Sequence, residues 1–191
     1  MVASAAFLND CRMDSADRRW KPQPFQVSAP MHLRPWLTDG SSLTARIAAR
    51  CGELRVRVLC VKVALPNEDE RSLIGLRRGA RAWVREVLLI ADGHPVVFAH
   101  TVAARRDLRG PWRMASGIGG RPLGAALFAD PAIVRGPLHV ERIAAANPLH
   151  RSAETALGVA MPTLWARRSR FLRHGRPLLV TEVFLPGIEK L

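Results

Sequence analysis

Two segments of this chain run apolar and polar residues into a two-residue turn and out again, and that arrangement restricts the fold more than any other feature. In the first, Arg81 to Ile90 leads to Asp92-Gly93 and Val96 to Val102 returns; in the second, Trp165 to Arg173 leads to His174-Gly175 and Leu178 to Leu185 returns. Turns this short join antiparallel strands, and Gly at the second position supplies the positive φ they require. Both continue as Gly-x-Pro, in Gly93-His94-Pro95 and Gly175-Arg176-Pro177, a likeness open to a distant internal repeat or to shared turn chemistry, of which turn chemistry is favoured. A further strand is predicted over Leu54 to Ala64. Leu54, Val56 and Val58 alternate with Arg55 and Arg57 before the apolar phase moves to Leu59, Val61 and Val63, which predicts a bulge near Val58 to Cys60.

Ser41 or Ser42 is placed to cap a helix from Leu43 through Ile47 to about Arg50, with Gly52 as a left-handed stop. Pro66 to Gly79 reads as a charged loop with a helical turn over Arg71 to Arg78, and Arg105 to Arg121 as a loop or broken helix loosened by Gly117, Gly119 and Gly120. A helical turn is expected over Ala125 to Phe128, a strand around Leu138 to Ile143 and a helix at Ser152 to Leu157. An antiparallel sheet that needs helices to cover it gives the class α+β. Residues 1–30 have weak periodicity, mixed charge and Pro22, Pro24 and Pro30, and are expected to form a poorly ordered extension to a domain over residues 31–191.

With 191 residues the chain fits one domain. No apolar run reaches the roughly 18 residues of a spanning helix, and Asp10, Arg12, Asp14 and Asp17 interrupt any signal-peptide core, so a cytoplasmic protein is expected. Cys11, Cys51 and Cys60 form no C-x-x-C pair and have no His at zinc spacing, so neither a disulfide framework nor a metal site is expected. The net charge of +13 asks for an anionic partner or marks a basic surface. Specific nucleic-acid binding would need aromatic platforms among the cations, yet the chain has no Tyr and only Trp165 and Phe171 lie in the arginine-rich second hairpin. A solvated basic face accounts for most of Arg167, Arg168, Arg170, Arg173 and Arg176. Ser116-Gly117-Ile118-Gly119-Gly120 lacks the Lys-Ser/Thr ending of a phosphate loop, and the histidines are scattered.

Side chains two apart in a strand share a face, so Arg85 stands in a row with Trp83, Val87 and Leu89, and Glu182 in a row with Leu178, Val180 and Phe184. A charge on an apolar face needs a partner, so each of these two meets the other, a third residue or a ligand. Periodicity does not separate a structural ion pair from a site.

These segments resemble the chorismate pyruvate-lyase family. Trp83-Val84-Arg85-Glu86-Val87-Leu88-Leu89-Ile90-Ala91-Asp92-Gly93 is similar to the first hairpin of its enterobacterial members, and Pro122-Leu123-Gly124 followed by Leu127-Phe128 resembles the loop that covers the ligand. The fullest match is Leu164-Trp165-Ala166-Arg167-Arg168-Ser169-Arg170, then Gly175-Arg176-Pro177-Leu178-Leu179, then Thr181-Glu182-Val183-Phe184-Leu185-Pro186, and the likeness spans about Pro35 to Pro186. It implies an antiparallel sheet with helices packed over it and flap loops above a buried ligand pocket. It implies elimination of pyruvate from chorismate to give 4-hydroxybenzoate, the aromatic precursor of ubiquinone, by a monomer with no cofactor. The alternative is a non-catalytic binder of 4-hydroxybenzoate or a related aromatic acid.

Carried over by motif, Arg85 resembles the arginine that holds the ring carboxylate, and Glu182 the glutamate that meets the oxygen on the ring's C4; these two are the catalytic candidates. Leu123 resembles a flap residue whose backbone contacts the ligand, and Leu43, in Ser42-Leu43-Thr44, a methionine with the same role. Two positions depart from the pattern, because many members have Arg at His100 and Pro at Ala104. If that Arg serves the second carboxylate, His100 can replace it fully only when protonated, with Arg105 or Arg106 as substitutes.

Overall fold

A computed structural model describes residues 19–21 and 29–191. Most of the expected extension therefore lies outside the described residues. The two hairpins form as the turns dictate. Strands β2 (Ala82–Ala91) and β3 (His94–Ala104) are joined through Asp92 and Gly93, both at positive φ, and β6 (Leu164–Arg173) and β7 (Arg176–Phe184) through His174 and Gly175, also at positive φ. Strand β1 (Leu54–Ala64) pairs with β2, and its register shifts between Val58 and Cys60, where the change of apolar phase predicts a bulge. The sheet runs β1-β2-β3-β7-β6 with every pairing antiparallel, and two short strands, β4 (Ile133–Arg135) and β5 (His139–Ile143), share the remaining edge of β6. The class is α+β, as read from the sequence.

Both faces of the sheet are covered over β2, β3, β7 and β6, whereas β1 has no buried residue. On one face α1 (Arg34–Thr38) and α2 (Leu43–Ala48) bury Trp36, Leu37, Leu43 and Ile47 against Val87, Leu89 and Phe184. Ser42 caps α2 by accepting from Ala45 N at 3.3 Å. The helix stops at Ala48 with a right-handed Ala49, so Gly52 is not its left-handed terminus; instead Gly52 N donates to the Asp92 carboxylate at 3.2 Å. Helix α4 (Arg113–Ser116) and α5 (Leu123–Ala129) extend the same cover.

On the other face α6 (Pro148–Leu157) lays Leu149 and Ala153 on Leu88, Phe98 and Val183. The helix begins four residues before the sequence suggests, because Asn147 caps it and Pro148 fits its first position, and Gly158 ends it in the left-handed region. Helix α3 (Glu68–Arg71) likewise precedes the expected turn, since Asn67 and Glu70 form a reciprocal capping box. Trp20 also lies on this face, 1% exposed, and Lys21 bridges to Val140. Cys51 and Cys60 are free thiols.

Candidate active site

Antiparallel register converts the two sequence rows into one surface. Arg85 on β2 stands opposite Thr101, which is opposite Val180, which is opposite Ser169; one rung along, Val87, Ala99, Glu182 and Arg167 line up in the same way. Arg85 and Glu182 thus face the same side with only β3 between their strands, about 12 Å apart at the backbone from standard strand spacings. They line one cavity, which α2 and α5 roof with Leu43 and Leu123. All four residues singled out by the sequence come together here. The free space is about 40 Å³, room for a few water molecules.

Arg85 is 3% exposed and meets no carboxylate among the described residues. Its Nη2 donates to Gly119 O at 2.9 Å and Arg121 O at 3.2 Å, which ties the loop before α5 down over the cavity. Its Nε is buried with no hydrogen-bond partner. Burial lowers the guanidinium's pKa from its ordinary value, but an arginine stays charged. A buried cation with a bare donor is the requirement for a carboxylate ligand.

Glu182 does not pair with Arg85 either. Its Oε2 accepts from Arg167 Nε at 2.5 Å, while Oε1 has no hydrogen bond from any described residue. Arg167 Nη1 donates in turn to Trp36 O at 2.7 Å and Asp39 O at 2.8 Å, which pins the end of α1. The solvated-face reading of the second hairpin is therefore corrected, since Arg167 and Arg168 are 1% and 3% exposed. Arg167 shares its strand face with Trp165 and Phe171, so it is a charge on an apolar face in the same sense as Arg85.

The cavity holds one charged group that the sequence reading passed over. Arg135 sits on the three-residue β4, too short to show a period, and lines the wall beside Ser169 and Phe171. The two leucines occupy matching positions. Leu43 and Leu123 each occupy the first residue of a helix, where the backbone N–H has no intrahelical acceptor.

His100 is elsewhere. It pairs in register with Glu86 on the opposite face of the sheet, with Nδ1 3.0 Å from Glu86 Oε1 and Nε2 3.2 Å from Glu70 Oε1. Burial alone would lower its pKa, but the two carboxylates outweigh burial and raise it to about 9. Arg105 and Arg106 are exposed on the turn after β3 and do not line the cavity. The expectation that one of these three serves a second carboxylate is corrected by the alternation of β3, which aims Ala99 and Thr101, not His100, at the cavity.

The family model for chorismate lyase matches residues 16–190. The chain belongs to the chorismate lyase family. It is 57% identical over 173 residues to a probable chorismate pyruvate-lyase of Azoarcus sp., covering 88% of this chain and 91% of the relative. It is 52% identical over 174 residues to one of Aromatoleum aromaticum, covering 90% and 94%. Among solved structures, the C-terminal domain of PhnF shares the fold, with a TM-score of 0.54 at 13% identity over 70% of this chain and 83% of that one. The chorismate lyase match begins at residue 16 and so takes in the buried Trp20, which lies before the stretch recognised in the sequence.

Proposed function

We propose that the chain catalyses the elimination of pyruvate from chorismate to give 4-hydroxybenzoate. Family membership supports the reaction, and one observation supports its location: Arg85 and Glu182 share a roofed cavity, are held apart, and each keeps an unpartnered polar atom. Chorismate carries a ring carboxylate at C1, an enolpyruvyl ether at C3 and a hydroxyl at C4. In this reading Arg85 receives the ring carboxylate, aided by the backbone N–H groups of Leu43 and Leu123. Glu182 accepts a hydrogen bond from the C4 hydroxyl through Oε1. The ether bond at C3 breaks with its electrons leaving on the enolpyruvate oxygen, the C4 hydrogen leaves as a proton, and the ring becomes aromatic. Enolpyruvate takes up a proton at carbon to become pyruvate, so the step consumes neither water nor a redox partner. The protein's part is to hold the ring in one orientation away from water.

A cytoplasmic setting and the supply of 4-hydroxybenzoate as a ubiquinone precursor belong to the same proposal. Among the described residues no helix is long and apolar enough to cross a membrane. The test is incubation of the purified protein with chorismate, with 4-hydroxybenzoate and pyruvate measured together. Equal yields of both are expected. Tight binding of 4-hydroxybenzoate without release of pyruvate would instead establish the non-catalytic binder.

A further inference from the structure

Three arginines and one glutamate line the cavity, Arg85, Arg135, Arg167 and Glu182, an excess of two positive charges. That excess matches a dianion. Arg167 is committed to Glu182 and to two backbone carbonyls, and Arg85 is the proposed holder of the ring carboxylate. Arg135 remains without an ion pair to any described residue. Its guanidinium is nevertheless fixed, 5.4 Å from the ring centre of Phe128 and 5.6 Å from that of Phe171. Nε donates to Ser169 Oγ at 3.0 Å and Nη1 to Gly40 O at 2.6 Å, which leaves Nη2 with no hydrogen bond from this set. Burial brings its pKa down to about 10, an effect that nearby Glu182 opposes, so it is charged at neutral pH.

We infer that Arg135 binds the second carboxylate of the substrate, the one on the enolpyruvyl group, and so distinguishes substrate from product. This rests on the lyase reading. C3, which bears the enolpyruvyl ether, adjoins the C4 whose oxygen is assigned to Glu182, and Arg135 lines the same cavity near Glu182 without an ion pair to any described residue. Once the ether bond breaks, 4-hydroxybenzoate has nothing for Arg135 to hold. The departing pyruvate keeps that carboxylate.

The test is a pair of variants, Arg135→Gln and Arg135→Lys, measured for chorismate KM and kcat, 4-hydroxybenzoate Kd and melting temperature. For Arg135→Gln the KM is expected to rise about tenfold or more while the product Kd stays within about threefold, because only the substrate loses a charged contact. Arg135→Lys keeps the charge without the planar fork and should recover part of the KM. A merely structural role, through Gly40 and Ser169, would weaken both ligands alike and lower the melting temperature, and that pattern overturns the assignment. So does an unchanged KM in folded Arg135→Gln. Absence of turnover by the wild-type protein would refute the lyase reading itself; chorismate and product Kd values on wild type and variant then decide the assignment by the same comparison, and wild-type failure to bind chorismate overturns both.

Discussion

Arg85 and Glu182 carry opposite charges on one apolar face and yet each is held by something else, so removing either should expose a different loss. Arg85→Ala removes the proposed carboxylate anchor and is expected to weaken 4-hydroxybenzoate and chorismate alike by about 2–5 kcal/mol. Glu182→Gln keeps size and can still hydrogen-bond, so turnover should fall far more than product affinity. It also leaves Arg167 buried without its counter-charge, so a lower melting temperature accompanies it. Single-turnover rates on folded variants check this, and wild-type turnover in Glu182→Gln would remove that residue from the reaction. His100 gives a separate prediction, on stability alone. Its folded pKa of about 9 lies above the ordinary 6.5, so the stabilisation from Glu70 and Glu86 is complete below pH 6.5 and is lost as pH rises through 9. Melting temperatures between pH 6 and 9.5 should fall by several degrees, and a flat profile would mean that the cluster does not hold a charged imidazole.

The covering elements are tied down by the arginines that line the cavity. Arg85 holds the loop before α5 through Gly119 and Arg121, Arg167 holds the end of α1, and Arg135 holds Gly40 just before α2. With about 40 Å³ free, a ring acid is expected to displace these segments outward as it binds. The two roof helices touch at Gly124, where an added Cβ would lie 3.0 Å from Thr44 Oγ1 and 3.6 Å from Ser42 Oγ. Gly124→Ala is therefore expected to hold α5 off α2 and to weaken product binding by about 1 kcal/mol, with little change in melting temperature. An unchanged product Kd would show that the roof does not close on the ligand. At this scale the sequence was legible where a period or a turn motif spoke, as in both hairpins and the β1 bulge. It was less so for α3 and α6, whose starts are set by Asn67 and Asn147 caps rather than by apolar spacing.

At the scale of the molecule, the sheet separates the face that carries the candidate cavity from the face packed under Pro148–Leu157 and Trp20. Trp20 belongs to the second, packed on Leu88, Phe98 and Val183, with Nε1 donating to Asp69 at 2.9 Å and the Arg168 guanidinium 4.2 Å from its ring centre. A domain boundary at residue 30 would cut this residue away. Trp20→Ala is expected to destabilise by about 3–5 kcal/mol. Deletion of residues 1–30 should lower the melting temperature comparably while the remaining folded protein still turns over chorismate, because Trp20 lies on the face away from the cavity. Thermal melts and rates at a temperature below both transitions check the two halves, and lost turnover in folded, truncated protein would place part of the site in that segment.

The sequence by itself determined the antiparallel hairpins, the α+β class, the family, and the two charges out of place on apolar faces. The family is carried by the resemblance of motifs and their order along the chain, and the rest are local or periodic properties, fixed by φ at a turn or by the side-chain alternation of one strand. Only the tertiary structure decided which charges meet. Strand order puts β7 between β3 and β6, so Glu182 falls beside Arg167 rather than Arg85. Register sends His100 to the far face with Glu70 and Glu86, and the short β4 brings Arg135 into the cavity from a segment with no readable period. Pairing between distant strands is set by how the whole sheet buries its two faces, and no single stretch of chain carries that information.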